Sequence, residues 1–504
     1  MALSTRGTHR TISHLLLTGH NPFSPPSNSS SSSSSRQSPS NPSLTPIPFS
    51  TWLSQIGRES DTFSPLSPPS ITSISSATGH SLISYRNYEG VDRVIGLGRN
   101  ESGQLGIGFA SQEGTRGLVE GFEGEEVLKV ETNVQGSYLL VKENETRNAL
   151  YSIGNLSRGK LAQPNLYSRS PTPHEHEEDD SEPVMKILPR ATLVEPPQIE
   201  RFGKIVHLET GYEHLLVLTE SGDLFGSGCN TDGQLGLSHS RDVYSLTHIP
   251  LPPFVKEKEG GIEKIVAGGD TSGFITKSGK LYTWGNSEYA QAGHGKKIDQ
   301  ITSPLEVLAN ETFLGNGERR VVDYRCGGSF GLILDDRHNL YSTGYGALGY
   351  SLPSDPSSSF PNLFNPHPTL IPSLSSTALG FSSPITRIRA AFGYAVAISD
   401  SPSSRSSLSS SSASSRGSRL WSWGLNSPSG RLGHGTISRV SNENERGMRV
   451  EPWVIEPREI RIPLRELGLE EKGEWGVGTV ELGEEGMWVE VKERRRVEEN
   501  EEGV

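Results

Sequence analysis

Cysteine is nearly absent: Cys229 and Cys326 are the only two in 504 residues. That excludes a disulfide framework, and no Cys/His cluster has zinc-site spacing, so no metal is expected. A reducing compartment fits, and the Asn-x-Ser/Thr triplets at Asn144, Asn155 and Asn310 then carry no weight. No run of eighteen apolar residues occurs, so no membrane-spanning helix is expected. Hydrophobic residues make up only 32%, too few for a fold of long amphipathic helices. Acid is missing from the N-terminus, where the first carboxylate is Glu59. The same stretch holds Arg6, Arg10, Arg36, Arg58 and an unbroken serine run, Ser29 to Ser35. Between Thr8 and Leu17, Arg10 and His14 alternate with Ile12, Leu15, Leu16 and Leu17, which reads as a short basic amphipathic helix. Acid-free, Arg- and Ser-rich leaders of this kind look like organelle transit peptides, and the apolar run is too short for a secretory signal. Residues 1–58 are therefore expected to be a disordered leader with a mitochondrial address, the alternatives being nuclear or cytoplasmic.

Glycine is plentiful, at 56 residues, and it falls in a pattern. An alternating apolar run is followed by a second short strand, a turn, and a third strand ending in a small residue and Gly. The unit closes on a loop of the type Asn-x-x-Gly-Gln-Leu-Gly. The clearest copy is KIVHLETGYEHLLVLTESGDLFGSGCNTDGQLGL at 204–237. Further copies start at Ile71, Val127, Ile262, Val321 and Ile385, and a half copy runs from Gly476 to Val491. Period-two runs such as Leu215–Thr219 suit strands, and Ser221-Gly222, Ser278-Gly279 and His338-Asn339 read as hairpin turns. The Leu after Gln, at Leu105 and Leu235, is placed to plug the seam between neighbouring sheets. One such unit cannot bury both its faces, so the units must stack radially. The expected fold is all-β: a seven-bladed β-propeller of four-stranded antiparallel blades over 70–492. Flexible inserts are expected near 164–197, 353–372 and 401–418, with a charged tail at 493–504. Only Pro46 to Ile56 offers an upstream strand to complete the half unit, and the match is poor. A six-bladed ring is the alternative.

These residues resemble the regulator of chromosome condensation repeat family, whose members form seven-bladed propellers. Trp284–Tyr289, Cys326-Gly327-Gly328, Gly344–Gly349, Arg387-Ile388-Arg389 and Gly114–Gly117 occur in the order seen in its mitochondrial exchange-factor-like branch. The resemblance implies a protein-binding regulator. Its partner would be a GTPase, with guanine-nucleotide exchange as the activity, or mitoribosomal factors, with a part in rRNA or mitoribosome maturation. The alternatives are a nuclear exchange factor for a Ran-like GTPase and, behind it, a propeller enzyme such as a lyase. The net charge of −12 repels phosphate backbones, so RNA contact is expected only through a local basic patch.

Short motifs add little. Gly154–Lys160 fits the glycine and lysine part of a phosphate loop, but Leu161 stands where Ser or Thr should follow. Gly344–Gly349 fits GxGxxG, but Pro353 blocks a following helix. His174–Asp180 alternates His and acid without apolar anchors and reads as a solvated loop. No Gly-x-Ser-x-Gly elbow occurs, and neither a cofactor nor a catalytic set is expected. Trp284, Trp421 and Trp423 read as core or seam residues. Polar residues at the first turn of each unit converge on one rim, and in the family such residues contact the partner. By that resemblance His80, Glu213, His214, Asp270 and Tyr394 are the partner-binding candidates. His214 could equally brace its own hairpin.

Overall fold

The computed structural model describes residues 9–20, 40–47, 53, 69–87, 89–122, 126–166, 187–194, 202–353, 361–380, 383–400, 417–435, 452–469 and 474–496. Within them lie seven four-stranded antiparallel sheets. Six are simple meanders in chain order: blade one over 70–118, two over 126–193, three over 205–248, four over 262–306, five over 321–370 and six over 387–459. The expected hairpin turns are where the sequence places them, between the second and third strands of blades three, four and five.

Blade seven is built from both ends of the chain. Its two inner strands are Glu474–Leu482 and Gly486–Arg496. The third and outermost are His9–His20 and Ser40–Ile47. His9–His20 pairs along its length with Gly486–Arg496, from His9 opposite Arg496 to Gly19 opposite Gly486. The expectation of a disordered leader over 1–58 is thereby corrected: part of it is sheet. The closing strands lie upstream of the segment the sequence suggested, and the ring has seven blades.

The physical reason is the burial of this strand on both sides. Leu16 lies in the core cluster of blade six, while Leu15 and Leu17 lie in that of blade one. Where a strand is sandwiched in this way, at Leu15–Leu17, successive positions are apolar rather than alternating. Each leucine contributes about 2 kcal/mol by leaving water. Acid is supplied from across the sheet: Ser13 Oγ donates to Glu490 at 2.7 Å, and His14 Nε2 lies 3.2 Å from Glu493.

Three further boundaries are corrected. The insert expected near 164–197 contains the outer strand Ile187–Leu193, and that near 353–372 contains Phe364–Leu370. The charged tail begins later than 493, because Gly486–Arg496 is strand. Residues 401–416, His174–Asp180, the serine run and 497–504 lie outside the described residues.

Each blade is joined to the next by a hydrogen bond from a side chain of one to a loop carbonyl of its neighbour. Ser137 Oγ donates to Gln104 O (2.8 Å), Ser227 Oγ to Gly159 O (2.8 Å) and Ser272 Oγ to Gln234 O (2.7 Å). Tyr324 Oη donates to Gln291 O (3.1 Å), Trp423 Nε1 to Ala347 O (2.9 Å) and Thr18 Oγ1 to Arg431 O (2.7 Å). The last joint is the exception, side chain to side chain, from Trp488 Nε1 to Ser81 Oγ at 3.1 Å. Leu105, Leu161, Leu235, Leu348 and Leu432, from the same loops, are wholly buried in the seams. Trp284, Trp421 and Trp423 are buried as well.

Thr18 holds two groups at the closing joint, because Met487 N also donates to its hydroxyl at 3.2 Å. Replacing it with isosteric valine leaves a buried carbonyl and a buried amide without that oxygen. Thr18→Val is expected to lower unfolding free energy by about 2 kcal/mol, read as a fall in denaturation midpoint at unchanged slope.

Candidate functional site

One face of the ring carries the turns between first and second strands and the longer loops between third and fourth. The loops owe their shape to their fixed letters. Asn230 Oδ1 accepts from Leu235 N (2.8 Å) and Gln234 Oε1 from Asp232 N (2.9 Å), while Gly233 takes φ +78° against Thr302. The same pair of bonds recurs at Asn100 with Leu105 and Gln104 with Ser102. In blade four Ser287 and Gln291 play the same parts, to Ala292 N (3.3 Å) and Tyr289 N (3.0 Å). Tyr289 therefore stands where Asp232 stands one blade earlier.

The five sequence-predicted residues come to this face but do not form one surface. His80, His214 and Tyr394 are buried, at 2%, 0% and 0% exposure. Each starts the second strand of its blade and reaches sideways to the next. His80 Nε2 meets Ser137 Oγ at 3.0 Å, His214 Nε2 meets Ser272 Oγ at 2.8 Å, and Tyr394 Oη donates to Gly483 O at 3.0 Å. The partner-binding assignment of these three is corrected: they join blades. His214 braces the neighbouring blade rather than its own hairpin. Position at a rim turn says which end a residue occupies, not which way its side chain points.

Glu213 is half-buried and already paired. Its carboxylate takes Lys160 Nζ at 2.6 Å and Arg158 at 3.2 Å, and Arg158 also forks Asp242 at 3.0 and 3.2 Å. Lys160 is fully buried, so this ion pair satisfies an ammonium that has no water. The glycine and lysine of the phosphate-loop-like segment are thus spent on a joint between blades two and three.

Asp270 is the candidate that is half-buried and, among the described residues, has no ion-pair partner. It accepts from Gln234 Nε2 at 3.3 Å and stands near Asp232. Burial, then Asp232 and Glu213, push its carboxyl up to about 6, against a lesser pull from Arg158. The same face carries aromatic residues that the sequence reading passed over. Tyr289 and Tyr345 are 42% and 44% exposed, with ring centroids 5.7 Å apart. Tyr212 and Phe392, from first turns of blades three and six, stack at 5.9 Å across the axis. They line an axial cavity of about 450 Å³ together with Lys129, Glu131, Glu209, Arg325, Arg389 and Glu481. Lys129 pairs with Glu131 at 2.8 Å and Glu209 at 3.0 Å, and Arg325 with Glu209 at 3.4 Å. The sequence did hold a signal for the rim aromatics, since Glu288-Tyr289 occupies the two free positions of a closing loop.

Two models of the regulator of chromosome condensation (RCC1) repeat match this chain, one over 221–275 and 278–334, the other over 205–234. Residues 205–334 therefore carry repeats of the regulator of chromosome condensation type. The chain is 26% identical over 301 residues to the RCC1-like G exchanging factor-like proteins of Homo sapiens and Mus musculus. That match covers 55% of this chain and 56% of each relative, so the chain spans about half the length of these curated relatives. It is 25% identical over 300 residues to the ultraviolet-B receptor UVR8 of Arabidopsis thaliana, covering 58% of each. Among solved structures, human WBSCR16 superposes with a TM-score of 0.63 at 19% identity, over 96% of this chain and 100% of that one. Prp20p of Saccharomyces cerevisiae gives 0.61 at 17%, over 99% and 94%. Both likenesses bear on the fold alone.

Two titrations follow from the geometry. Burial lowers His80 from 6.5 to about 4 and His214 to about 3. Both imidazoles are then neutral in the fold and take up protons on unfolding below pH 6.5. The stability they hold is full above that value and is lost as pH falls toward 4 and 3. Phe330 occupies the equivalent position in blade five, packed in one cluster with Ala395, the counterpart of Ser272. The pair His214→Phe/Ser272→Ala is expected to flatten the acid limb of a denaturation-midpoint profile between pH 6.5 and 4 and to lower the midpoint at pH 8, because Gln234 O loses Ser272 and keeps only Trp284 Nε1 at 2.9 Å.

Asp270 behaves in the opposite sense. A carboxyl raised on folding destabilises the fold once ionised, so its cost is absent below pH 3.8 and full above about 6. Asp270→Asn is expected to raise unfolding free energy by about 1 kcal/mol at pH 8 and by nothing at pH 3.5, measured by denaturant titration.

Proposed function

We propose that this protein is an exchange-factor-like regulator that binds a GTPase with the loop face of its ring and acts without making or breaking covalent bonds. The observation that carries the reading is the likeness to the RCC1-like G exchanging factor-like proteins, together with the repeat match over 205–334, which includes Asp270 and Tyr289. The rigid, jointed ring supports it, because a preformed face loses little entropy on docking. Exchange requires that the face bind the nucleotide-free GTPase more tightly than the loaded one, and that difference speeds release. Mitochondria are the proposed location, on the acid-free, arginine-containing N-terminal sequence.

The test is affinity capture from purified mitochondria with the intact chain, followed by a release assay on any GTPase recovered, loaded with a fluorescent GDP. The expected result is at least a tenfold faster release at micromolar chain. Recovery of ribosomal proteins with no GTPase would replace exchange by a scaffold role. Nuclear signal from the tagged intact chain would remove the mitochondrial location.

A further inference from the structure

We propose that the arc running from Asp232 and Asp270 across Tyr289 to Tyr345 is a docking surface for an arginine-bearing loop of a protein partner. The proposal rests on the reading of this face as partner-binding and specifies the chemistry it takes.

The aromatic half is exposed. Tyr289 and Tyr345 come from neighbouring blades, their planes 33° apart. Such rings in water are a platform for a planar, weakly hydrated cation. The acidic half adjoins it through one residue. Asn286 Nδ2 donates to Asp232 Oδ1 at 3.2 Å, and Asn286 Oδ1 accepts Glu288 N at 3.2 Å and Gln291 Nε2 at 2.8 Å in the loop carrying Tyr289. Asp232 and Asp270 receive amide and hydroxyl donors, but among the described residues no cation lies in ion-pair contact with either. The guanidinium charge that acts on Asp270, Arg158, is committed to Asp242 and Glu213. Two half-buried carboxylates that raise each other's energy are relieved by an incoming cation, and that relief is specific to a basic partner.

Arginine fits better than lysine because its planar, weakly hydrated guanidinium both stacks on aromatic rings and forks carboxylates. The chain already builds that contact internally. The Arg419 guanidinium lies 4.7 Å from the centre of the Trp421 ring while forking Glu459 at 2.8 and 2.6 Å, and Arg431 lies 4.5 Å over Tyr394. A polyphosphate strand is disfavoured here, since the acids repel it.

The experiment uses the full chain and dye-labelled hexa-arginine, with hexa-lysine as the isovalent comparison, followed by fluorescence anisotropy at physiological salt. Hexa-arginine is expected to bind about five- to tenfold more tightly than hexa-lysine, the range of a desolvated cation–π contact. Asp232→Asn/Asp270→Asn and Tyr289→Ala/Tyr345→Ala are each expected to weaken it about tenfold. Glu311→Gln/Glu466→Gln, which removes the same charge from exposed positions elsewhere, is expected to change it less than twofold. Far-ultraviolet circular dichroism and the denaturation midpoint establish that each variant is folded, and Asp270→Asn alone serves if a double variant is not. Equal affinity for the two peptides, or equal loss in the control variant, overturns the proposal, because net charge alone would then explain the binding. Tyrosine replacements without effect overturn it too. Tight arginine-selective binding without accelerated GDP release leaves this proposal standing and removes the exchange reading. Accelerated release that is indifferent to all four residues does the reverse.

Discussion

A loop carbonyl that cannot reach water must find its donor on the neighbouring blade, and that requirement governs this ring. Gln104, Gly159, Gln234, Gln291, Ala347 and Arg431 each place a main-chain oxygen at a seam, and each is met from the next blade. An oxygen left unmet there costs about 1–3 kcal/mol, more than a net hydrogen bond gains. The bond is therefore better read as a constraint on which neighbour is allowed than as a source of stability. Apolar burial by the seam leucines supplies the stability, and the carbonyls supply the angular register.

The constraint explains why blade seven combines strands His9–His20 and Ser40–Ile47 with strands Glu474–Leu482 and Gly486–Arg496. The carbonyl of Arg431 needs a donor, and blade seven's two C-terminal strands do not supply it. Thr18 supplies it from the N-terminal strand, which also buries Leu16 against blade six and Leu15 and Leu17 against blade one. Closure by strands from opposite ends also makes the ring cooperative, because blade seven does not exist until both termini have arrived. The contacts between His9–His20 and Gly486–Arg496 join residues 467 or more positions apart, the kind of pairing that forms late and slowly.

Legibility in the sequence follows from these demands. The blades and their hairpins were readable because Gly, Asn and Gln are needed at fixed points of every loop. The N-terminal strand was not, because burial on both faces removes the alternation that marks a strand, and Ile12 to Leu17 reads equally as a helix. The outer strands Ile187–Leu193 and Phe364–Leu370 were hidden for the opposite reason: at the edge of a blade few residues need be apolar. At the rim, the repeat revealed where His80, His214 and Tyr394 sit along the axis but not that their rings turn into the seams. The exposed tyrosines were readable in principle, since aligning Asn230–Gln234 with Ser287–Gln291 sets Tyr289 opposite Asp232.

That alignment separates two kinds of information in one loop. In Asn-x-x-Gly-Gln-Leu-Gly the named letters are consumed by folding: Asn and Gln hold the loop's own amides, Gly takes the left-handed turn, and Leu fills the seam. The two unnamed positions are free. In blade one they are Glu101 and a buried Ser102, in blade three Thr231 and Asp232, in blade four Glu288 and Tyr289. A change at those two positions leaves the joints intact, so the face can vary while the ring does not. The more strictly the fixed letters are kept, the more rigidly the free ones are presented. Blades three to five, where the repeat is matched over 205–334, hold Asp232, Asp270 and Tyr289 in the most regular part of the molecule. Regular repetition here does not dilute the surface; it supplies the stiff frame on which a few irregular residues can recognise another molecule.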